Sequence, residues 1–248
     1  MPNNWFRFKQ FTIQQAHSAM KVGTDGVLLG AWASVPLPGS RVLDIGTGTG
    51  LIALMIAQRT KHVQIDALEM EASSARQAAE NFRNSPWDHR LHGIDSSLQE
   101  YAPRCNKAYD LIICNPPFFS ASYKTPSGPR NLARHDDSLN LEDLFSLSVQ
   151  LMKKTGTFSL ILPLQKESQT MELIKGHHMY PTRITRVRPA PGKAFKRFLI
   201  ESSFVPGRTG VKQVPYPSKV QEEELCIETG TRHCYSAAFN SLVDPFYL

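Results

Sequence analysis

Short apolar runs alternate with helix-forming stretches through much of this chain. Tyr109–Cys114 reads YDLIIC and residues 156–162 read GTFSLIL, compositions that are typical of strands buried on both faces of a parallel sheet. Leu51–Arg59 and residues 71–84 are rich in helix formers and follow other apolar runs closely. Repeated strand–helix units with short connections predict an α/β fold, with a doubly wound, mostly parallel sheet and helices on both faces.

The same pattern continues to the end of the chain, and no internal repeat interrupts it. We expect one domain over residues 1–248, in which an N-terminal extension (1–35) precedes a Rossmann-like core (36–248). Further strands are predicted at residues 41–45, 63–68, 89–94, 181–187, 195–204 and 223–227, and further helices at 141–152, 165–175 and 235–243.

The composition disfavours several classes of protein. No apolar run reaches the roughly 18–20 residues that span a bilayer, and the N-terminus lacks the apolar core of a secretion signal. We therefore expect a cytoplasmic protein with no membrane partner. The cysteines are Cys105, Cys114, Cys226 and Cys234. They form no C-x-x-C pair, so no zinc site, other metal site or disulfide framework is expected. A net charge of +6 and a pI near 9.2 are compatible with a polyanionic partner.

A glycine-rich turn follows the first of the core strands and leads into a helix. Its spacing is Asp-x-Gly-x-Gly-x-Gly, formed by Asp44, Gly46, Gly48 and Gly50. Glycines let the backbone turn sharply and let a ligand approach the main chain closely. An acid two residues before the first glycine disfavours a pyrophosphate ligand and favours the ammonium group of an amino-acid-bearing cofactor. The pattern therefore predicts S-adenosylmethionine rather than NAD, and an ordinary turn is the alternative.

Two further acids follow predicted strands. Glu69 ends the second core strand, 19 residues after Gly50, where an acceptor-only carboxylate can bind both hydroxyls of a ribose. Asp95 ends the third core strand, where its side chain can contact the amino group of an adenine. The alternatives are a surface acid at Glu69 and a helix cap at Asp95.

The fourth core strand runs directly into the tetrapeptide Asn115, Pro116, Pro117 and Phe118, which we predict to be catalytic. Two prolines lock φ and cannot donate backbone hydrogen bonds, so this segment is rigid and its carbonyls are free to accept. The Asn115 side-chain oxygen and the Pro116 carbonyl can hold both N–H groups of an exocyclic amine and direct its lone pair at a methyl donor. Phe118 can stack on the target ring. The alternative is a strand that simply stops at proline.

These motifs resemble those of class I methyltransferases that carry an NPPY or NPPF amino-methylation motif. Residues 9–11 (KQF), 19–32 (AMKVGTDGVLLGAW), 51–60 (LIALMIAQRT), 115–118 (NPPF) and 246–248 (FYL) are similar to the bacterial valine-tRNA adenine-N6-methyltransferase family. The resemblance covers most of the chain. It implies a seven-stranded class I fold, S-adenosyl-L-methionine as cofactor, and adenine 37 of tRNA1(Val) as the modified base. Related amino-methyltransferases often carry tyrosine where this chain has Phe118, which should preserve stacking.

The segment around residues 21–26 also has a local rationale. A Gly-Thr-Asp-Gly turn before a helix can fold over the cofactor, with Lys21 or Thr24 contributing polar contacts. An ordinary helix-capping turn is the alternative. We accordingly expect the N-terminal extension to pack on the side of the cofactor and the RNA.

Three segments are candidates for RNA contact. A basic rim is predicted between residues 183 and 197, against a solvated hairpin as the alternative. The long loop 119–140 is expected to cover the target base. The extension can offer a stacking and phosphate surface, against core packing as the alternative. The rim residues are Arg183, Arg186, Arg188, Lys193, Lys196 and Arg197, the loop residues Lys124, Arg130, Arg134 and His135, and the extension residues Trp5, Phe6, Arg7 and Phe8.

The tetrapeptide alone does not select the acceptor. Guanine N2 in ribosomal RNA, adenine in DNA and a glutamine amide in a protein remain alternatives to adenine N6 in tRNA. A catalytically silent RNA-binding protein is a further alternative, which the intact Asp44, Glu69 and Asn115 disfavour. We expect tRNA as the partner and a monomeric protein.

Overall fold

A computed structural model describes residues 3–18, 20–117, 139–205 and 220–247 of the chain. Phe118 and nearly all of the predicted covering loop, including Lys124, Arg130, Arg134 and His135, lie outside these described residues. None of the helices within the described ranges has the length and apolar character that crossing a membrane requires.

Eight strands form the central sheet of the described chain, in the order β10–β8–β9–β7–β6–β3–β4–β5. All neighbouring strands run parallel except β9, which is antiparallel to both β7 and β8. The order reverses between β3 and β6, which is the switch point of a doubly wound sheet. The strands are β3 (Arg41–Ile45), β4 (Gln64–Glu69), β5 (Leu91–Asp95), β6 (Tyr109–Cys114), β7 (Met152–Pro163), β8 (Met179–Arg188), β9 (Arg197–Phe204) and β10 (Gln221–Cys226).

Helices cover both faces of the sheet, because each face carries its own cluster of buried apolar side chains. One cluster includes α1 (Thr24–Trp32), α2 (Leu51–Arg59), α3 (Ala72–Arg83) and α7 (Ala237–Val243). The other includes α4 (Leu98–Tyr101), α5 (Leu141–Leu151) and α6 (Glu167–Gly176). The predicted α/β class, doubly wound sheet and two helical layers are confirmed.

The sheet has one strand more than the seven that the family resemblance implies. The additional strand is β10, which pairs in parallel with β8 at the outer edge of the sheet. Its sequence, QEEELC, is rich in acids, while β8 carries three arginines, so ion pairs stabilise this pairing. The sequence pattern did predict this strand, at residues 223–227.

The N-terminal extension contains a hairpin that periodicity did not predict. Strands β1 (Trp5–Arg7) and β2 (Thr12–Gln14) pair antiparallel, and each has only three residues. Phe8 is fully buried and its ring stacks on those of Phe11 and Tyr247. Phe8 therefore packs in the core, which was the alternative to its prediction as part of an RNA-stacking surface. Trp5, in contrast, is 52% exposed.

Helix α1 is fixed to the sheet at its C-terminal end. The Trp32 indole N–H donates to Thr185 Oγ1 at 2.8 Å. The buried Glu201 carboxyl accepts the Ser34 backbone N–H at 2.6 Å, the Ser34 hydroxyl at 2.8 Å and the Ser159 hydroxyl at 3.0 Å. These bonds fill most of the acceptor capacity of a side chain that is only 3% exposed, so α1 has one defined position on the sheet.

We expect Glu201→Ala to reduce the free energy of unfolding by about 2–4 kcal/mol, because it leaves the Ser34 N–H and the Ser159 hydroxyl without their acceptor. Urea denaturation followed by circular dichroism measures the change. The matched control is Glu222→Ala, which removes an exposed carboxylate of β10 and should cost less than about 1 kcal/mol. Equal losses in the two variants would contradict the anchoring role of Glu201.

Candidate active site

Three of the predicted site residues meet at one edge of the sheet, because parallel strands end there together. Ile45 of β3 is in register with Cys114 of β6 and with Leu68 of β4. Asp44, Glu69 and Asn115 therefore lie at the carboxyl ends of three adjacent strands, beside the switch point. Ligands of doubly wound sheets bind at this position.

The glycine turn between β3 and α2 leaves open space in front of its backbone. Gly46 and Gly48 have φ of +68° and +57°, and a Cβ atom built on either would meet no atom within 4 Å. Gly50 has φ of +84°, and a Cβ atom there would lie 2.4 Å from the Phe82 ring. The first two glycines thus form an open cradle with room for a ligand close to the backbone, and the third permits close packing of α2 against α3.

Asp44 is completely buried beneath this turn. Its Oδ2 accepts the Thr47 hydroxyl at 2.6 Å and the Ala53 backbone N–H at 3.2 Å, while its Oδ1 is buried without a partner among the described residues. Burial raises the pKa of Asp44 to about 7, although both hydrogen bonds oppose the shift. A buried carboxylate oxygen without a partner favours a cationic or hydrogen-bond-donating ligand.

Glu69 connects the end of β4 to the glycine turn. Its Oε2 accepts the Gly48 N–H at 2.9 Å, and its Oε1 accepts the Glu71 N–H at 2.9 Å. A carboxylate has about four acceptor positions, so each oxygen retains capacity for a hydroxyl of a ligand. Asp95 is in register with Glu69 on the neighbouring strand β5 and is exposed. Asp95 is not the helix cap considered from the sequence, because Ser97 caps α4 by accepting the Glu100 N–H.

Asn115 presents a second acceptor without a partner. Its Oδ1 is buried and has no hydrogen bond to the described residues. It follows β6 directly, and Pro116 behind it is buried while Pro117 is exposed. Phe118, the predicted stacking residue, lies outside the described residues.

The first turn of α1 lies against Asn115, a contact that the sequence did not predict. A Cβ atom on Gly26 would lie 3.1 Å from Leu51 Cδ2 and 4.0 Å from Asn115 Nδ2, which shows how close the helix comes to the Asn115 side chain. The neighbouring Asp25 accepts from Arg197 Nε at 2.8 Å, which ties this turn to the start of β9. No local signal marks this ion pair, because its partners are 172 residues apart.

The two cofactor contacts predicted around the start of α1 are exposed, whereas those predicted at the ends of β3, β4 and β6 are buried or half-buried. Thr24 is exposed at the start of the helix, and Gly23 rather than a side chain occupies the N-cap position. Lys21 is also exposed, and its ammonium group donates to the Asn3 carbonyl at 3.4 Å. Neither of the two has a described hydrogen bond to the glycine turn or to Asn115.

The predicted basic rim is largely neutralised within the protein. Arg186 donates hydrogen bonds to the Glu167 and Glu222 carboxylates, which raise the pKa of its guanidinium, and Arg188 stacks on the Phe195 ring at 4.1 Å. Only Lys193 and Lys196 of the six rim cations lack an ion pair with another described residue. The ion pairs are Arg183–Glu223, Arg186–Glu167, Arg186–Glu222, Arg188–Glu224 and Arg197–Asp25.

The site has the features that S-adenosylmethionine requires. The unpartnered Asp44 oxygen suits its ammonium group, the cradle of Gly46 and Gly48 gives close access to the backbone, and Glu69 suits a ribose diol. Nowhere in the described part of the chain do three His, Cys, Asp or Glu side chains group as possible metal ligands.

Comparison with known proteins relates the whole chain to methyltransferases. The methyltransferase small domain matches residues 16–171. A tRNA1(Val) (adenine(37)-N6)-methyltransferase of Flavobacterium psychrophilum is 43% identical over 243 residues, which cover 98% of this chain and 99% of the relative. A protein of the same description from Trichodesmium erythraeum is 42% identical over 250 residues, which cover 100% and 99%.

Solved structures show the same fold at low sequence identity. The predicted O-methyltransferase Atu636 of Agrobacterium tumefaciens has a TM-score of 0.65 at 17% identity, covering 90% of this chain and 96% of its own. The ribosomal protein L11 methylase of Lactobacillus delbrueckii subsp. bulgaricus has a TM-score of 0.54 at 13% identity, covering 77% and 83%. These similarities concern the arrangement of the sheet and helices alone.

We expect Gly48→Ala to weaken binding of S-adenosylhomocysteine at least about tenfold, because the new methyl group enters the open cradle. Isothermal titration calorimetry measures the affinity. Gly192→Ala is the matched control: Gly192 also has positive φ, +73°, and open space in front of its Cβ position, but lies in the loop between β8 and β9. Both variants carry similar backbone strain, so an equal loss of affinity would contradict the role of the cradle.

We expect binding of the same ligand to strengthen as the pH rises from about 6 to 8. Burial raises the pKa of Asp44 to about 7, so its carboxyl group is mostly protonated below that pH and mostly ionised above it. Only the ionised form attracts the ligand's ammonium group. Titration calorimetry across this range should show an affinity increase of up to about tenfold, and Asp44→Asn should bind weakly with a flat profile. A flat profile in the unaltered chain would contradict this assignment.

Proposed function

This chain belongs to the methyltransferase small-domain family and, at 43% identity over nearly its full length, to the family of tRNA1(Val) (adenine(37)-N6)-methyltransferases; we propose that it methylates N6 of adenine 37 in tRNA1(Val). The observation that carries the proposal is the buried Asn115 side-chain oxygen beside the switch point of the sheet, which has no hydrogen-bond partner among the described residues. S-adenosylmethionine, when bound, supplies a methyl group on a sulfonium centre. A chain that modifies tRNA would work in the cytoplasm.

The residues that would bind the cofactor lie at the carboxyl ends of β3 and β4. Asp44 would hold the ammonium group with its Oδ1, which has no hydrogen-bond partner among the described residues. Glu69 is held by the Gly48 and Glu71 N–H groups and offers its remaining lone pairs to the ribose. Asp95, in register with Glu69 on the next strand, would accept a hydrogen bond from the adenine amino group. The weaker candidates are Lys21 and Thr24, which are exposed on the chain leading into α1.

Two oxygens of the protein accept hydrogen bonds from the amino group of the target base: the Asn115 side-chain oxygen and the Pro116 carbonyl oxygen. The lone pair of an exocyclic amine is delocalised into its ring, which makes the nitrogen a poor nucleophile. Two hydrogen bonds from its N–H groups to these oxygens orient the lone pair and stabilise the positive charge that develops on nitrogen. The bound cofactor would supply the methyl group, Asn115 and Pro116 would hold the nitrogen that accepts it, and the extra proton would leave that nitrogen for solvent. No strong base is needed, because the alkylated nitrogen is acidic.

The preorganised position of Asn115 is what the fold contributes to rate. Strand β6 fixes its backbone, the prolines that follow it restrict φ, and the first turn of α1 packs against its amide nitrogen. An acceptor that is already desolvated and oriented needs no reorganisation during the reaction.

We expect Asn115→Ala to reduce methyl transfer to tRNA1(Val) at least about a hundredfold, while S-adenosylhomocysteine affinity changes by no more than about threefold. Transfer of labelled methyl groups and calorimetry measure the two quantities. The control is Asn106→Ala, in the loop before β6, which should leave both unchanged. Full activity of the Asn115 variant would contradict the orienting role.

Nucleoside mass spectrometry of the product RNA tests the base and its position. We expect N6-methyladenosine in a tRNA1(Val) transcript and none in a transcript whose adenine 37 is replaced by guanine. N2-methylguanosine, or methylation only of DNA or protein, would instead support one of the other amino-group acceptors that share the tetrapeptide.

A further inference from the structure

We propose that the sugar–phosphate backbone of the RNA substrate docks on a groove between α3 and the N-terminal segment, rather than on the basic rim of residues 183–197. The proposal rests on the proposed function, since it assigns a surface to that same substrate. The groove has a volume of about 590 Å³ and is lined by His17, Ser73, Arg76, Gln77, Glu80 and Arg83 together with Ala79. We refer to it below as the α3 groove.

The two arginines of the α3 groove are available to phosphate. Arg76 and Arg83 are exposed on α3, and neither forms a salt bridge with a carboxylate of the described residues. Glu80 lies between them in the helix but accepts the Gln77 amide at 3.0 Å. Hydrogen bonds from two serines of the first turn and, less strongly, the charge of Arg76 lower the pKa of Glu71, but Arg76 forms no salt bridge with that carboxylate. A guanidinium outside a salt bridge can bind phosphate through charge-assisted, bidentate hydrogen bonds.

The basic rim differs in this respect. All four of its arginines form ion pairs with acids of α1, α6 or β10, so a phosphate would have to compete with carboxylates already in place. Only its two lysines, Lys193 and Lys196, are without such pairs among the described residues, and a single ammonium group provides no bidentate geometry.

The α3 groove begins directly beside the cofactor end of β4. Glu69 Oε1 accepts the Glu71 N–H, and Ser73 in the first turn of α3 donates to the His17 carbonyl at 3.1 Å. The strand β4 is separated from β6, which carries Asn115, by β3 alone, a displacement of about 10 Å at the usual strand spacing. RNA that places a base at Asn115 therefore has the α3 groove within a few nucleotides.

The hairpin extends this surface with an exposed aromatic ring. Trp5 pairs across the hairpin with Gln14, whose backbone N–H and carbonyl both bond to the Asn81 side chain of α3. Trp5 and Arg7 lie on the same face of β1, and both are exposed. An exposed tryptophan beside arginines is the combination that binds unpaired bases and their phosphates. Phe6 and Phe8, in contrast, pack towards the apolar core.

The test is tRNA1(Val) binding by the full chain, measured by fluorescence anisotropy from about 50 to 300 mM KCl. We expect the double variant Arg76→Glu/Arg83→Glu to raise the Kd at least about tenfold and to reduce the slope of log affinity against log salt by about two. Lys193→Glu/Lys196→Glu is the matched control with the same change in net charge, and its Kd should change by no more than about threefold. S-adenosylhomocysteine affinity and the thermal midpoint should be unchanged in both.

Two outcomes would overturn this proposal and leave the proposed function intact, provided that the unaltered chain methylates tRNA normally. In the first, Arg76→Glu/Arg83→Glu has an unchanged Kd and an unchanged salt slope. In the second, Lys193→Glu/Lys196→Glu loses more RNA affinity than Arg76→Glu/Arg83→Glu does. Failure of the unaltered chain to bind or methylate tRNA overturns both. If the double variant does not fold, Arg76→Ala and Arg83→Ala singly should each raise the Kd and each reduce the slope by about one.

Trp5 gives an independent readout of the same surface. We expect RNA to quench tryptophan fluorescence in the unaltered chain and much less in Trp5→Phe, which should retain RNA affinity within about threefold because it keeps an aromatic ring. Trp5→Ala should raise the Kd by about tenfold. Equal quenching in Trp5→Phe and the unaltered chain would exclude Trp5 from the RNA surface.

Discussion

The strands β4, β3 and β6 run parallel and end at one edge of the sheet, and the chemistry of the protein depends on that geometry. Each strand is short, apolar and buried, so its register is determined by packing. Asp66 inside β4 is a buried polar residue whose carboxylate accepts hydrogen bonds from Lys107 and Tyr109, whereas the polar residues of the site lie where the strands end. Asp44, Glu69 and Asn115 come from segments far apart in the sequence, yet they need no dedicated element to bring them together.

The same edge holds two of the five buried side-chain atoms that lack a hydrogen-bond partner among the described residues, the other three being on Gln58, Asp66 and Ser148. Asp44 Oδ1 and Asn115 Oδ1 are both buried without a described partner. Such an atom costs about 1–3 kcal/mol when it stays unsatisfied. The surrounding structure holds both side chains in place despite this cost: Thr47 and Ala53 donate hydrogen bonds to Asp44, and α1 packs near Asn115. A ligand that donates hydrogen bonds to these two oxygens removes the free-energy cost of leaving them unsatisfied. The same hydrogen bonds therefore both bind the ligand and orient it.

Local sequence patterns were sufficient to predict most of the fold and the strand-end residues. The core strands were placed within a few residues of their bounds, because continuous apolar runs and glycine turns are properties of adjacent positions. The Asp-x-Gly spacing and the acid after β4 likewise depend on local geometry.

Other features could not be predicted, because they depend on partners distant in the sequence. The hairpin strands are too short for a period-two pattern to be recognised. The closeness of Gly26 to Asn115 and the Asp25–Arg197 pair arise only after α1 has packed on the sheet. The arginines between residues 183 and 197 look like an RNA-binding cluster until β10 brings its acids beside them.

Because β10 pairs with β8, the net charge of the chain does not show which cations are available to a polyanion. An excess of +6 over the chain says nothing about where cations remain available. Arginines on β8 stabilise an edge strand by pairing with its acids, so their charge is used within the fold. Arg83 lies in the last turn of α3, where a cation is favourable to the helix dipole. The hydroxyl of Ser73 and, less strongly, the charge of Arg76 lower the pKa of Glu71, but neither arginine forms a salt bridge among the described residues. Their exposed charge attracts a polyanion to that face, on the side of the sheet where the cofactor end of β4 lies.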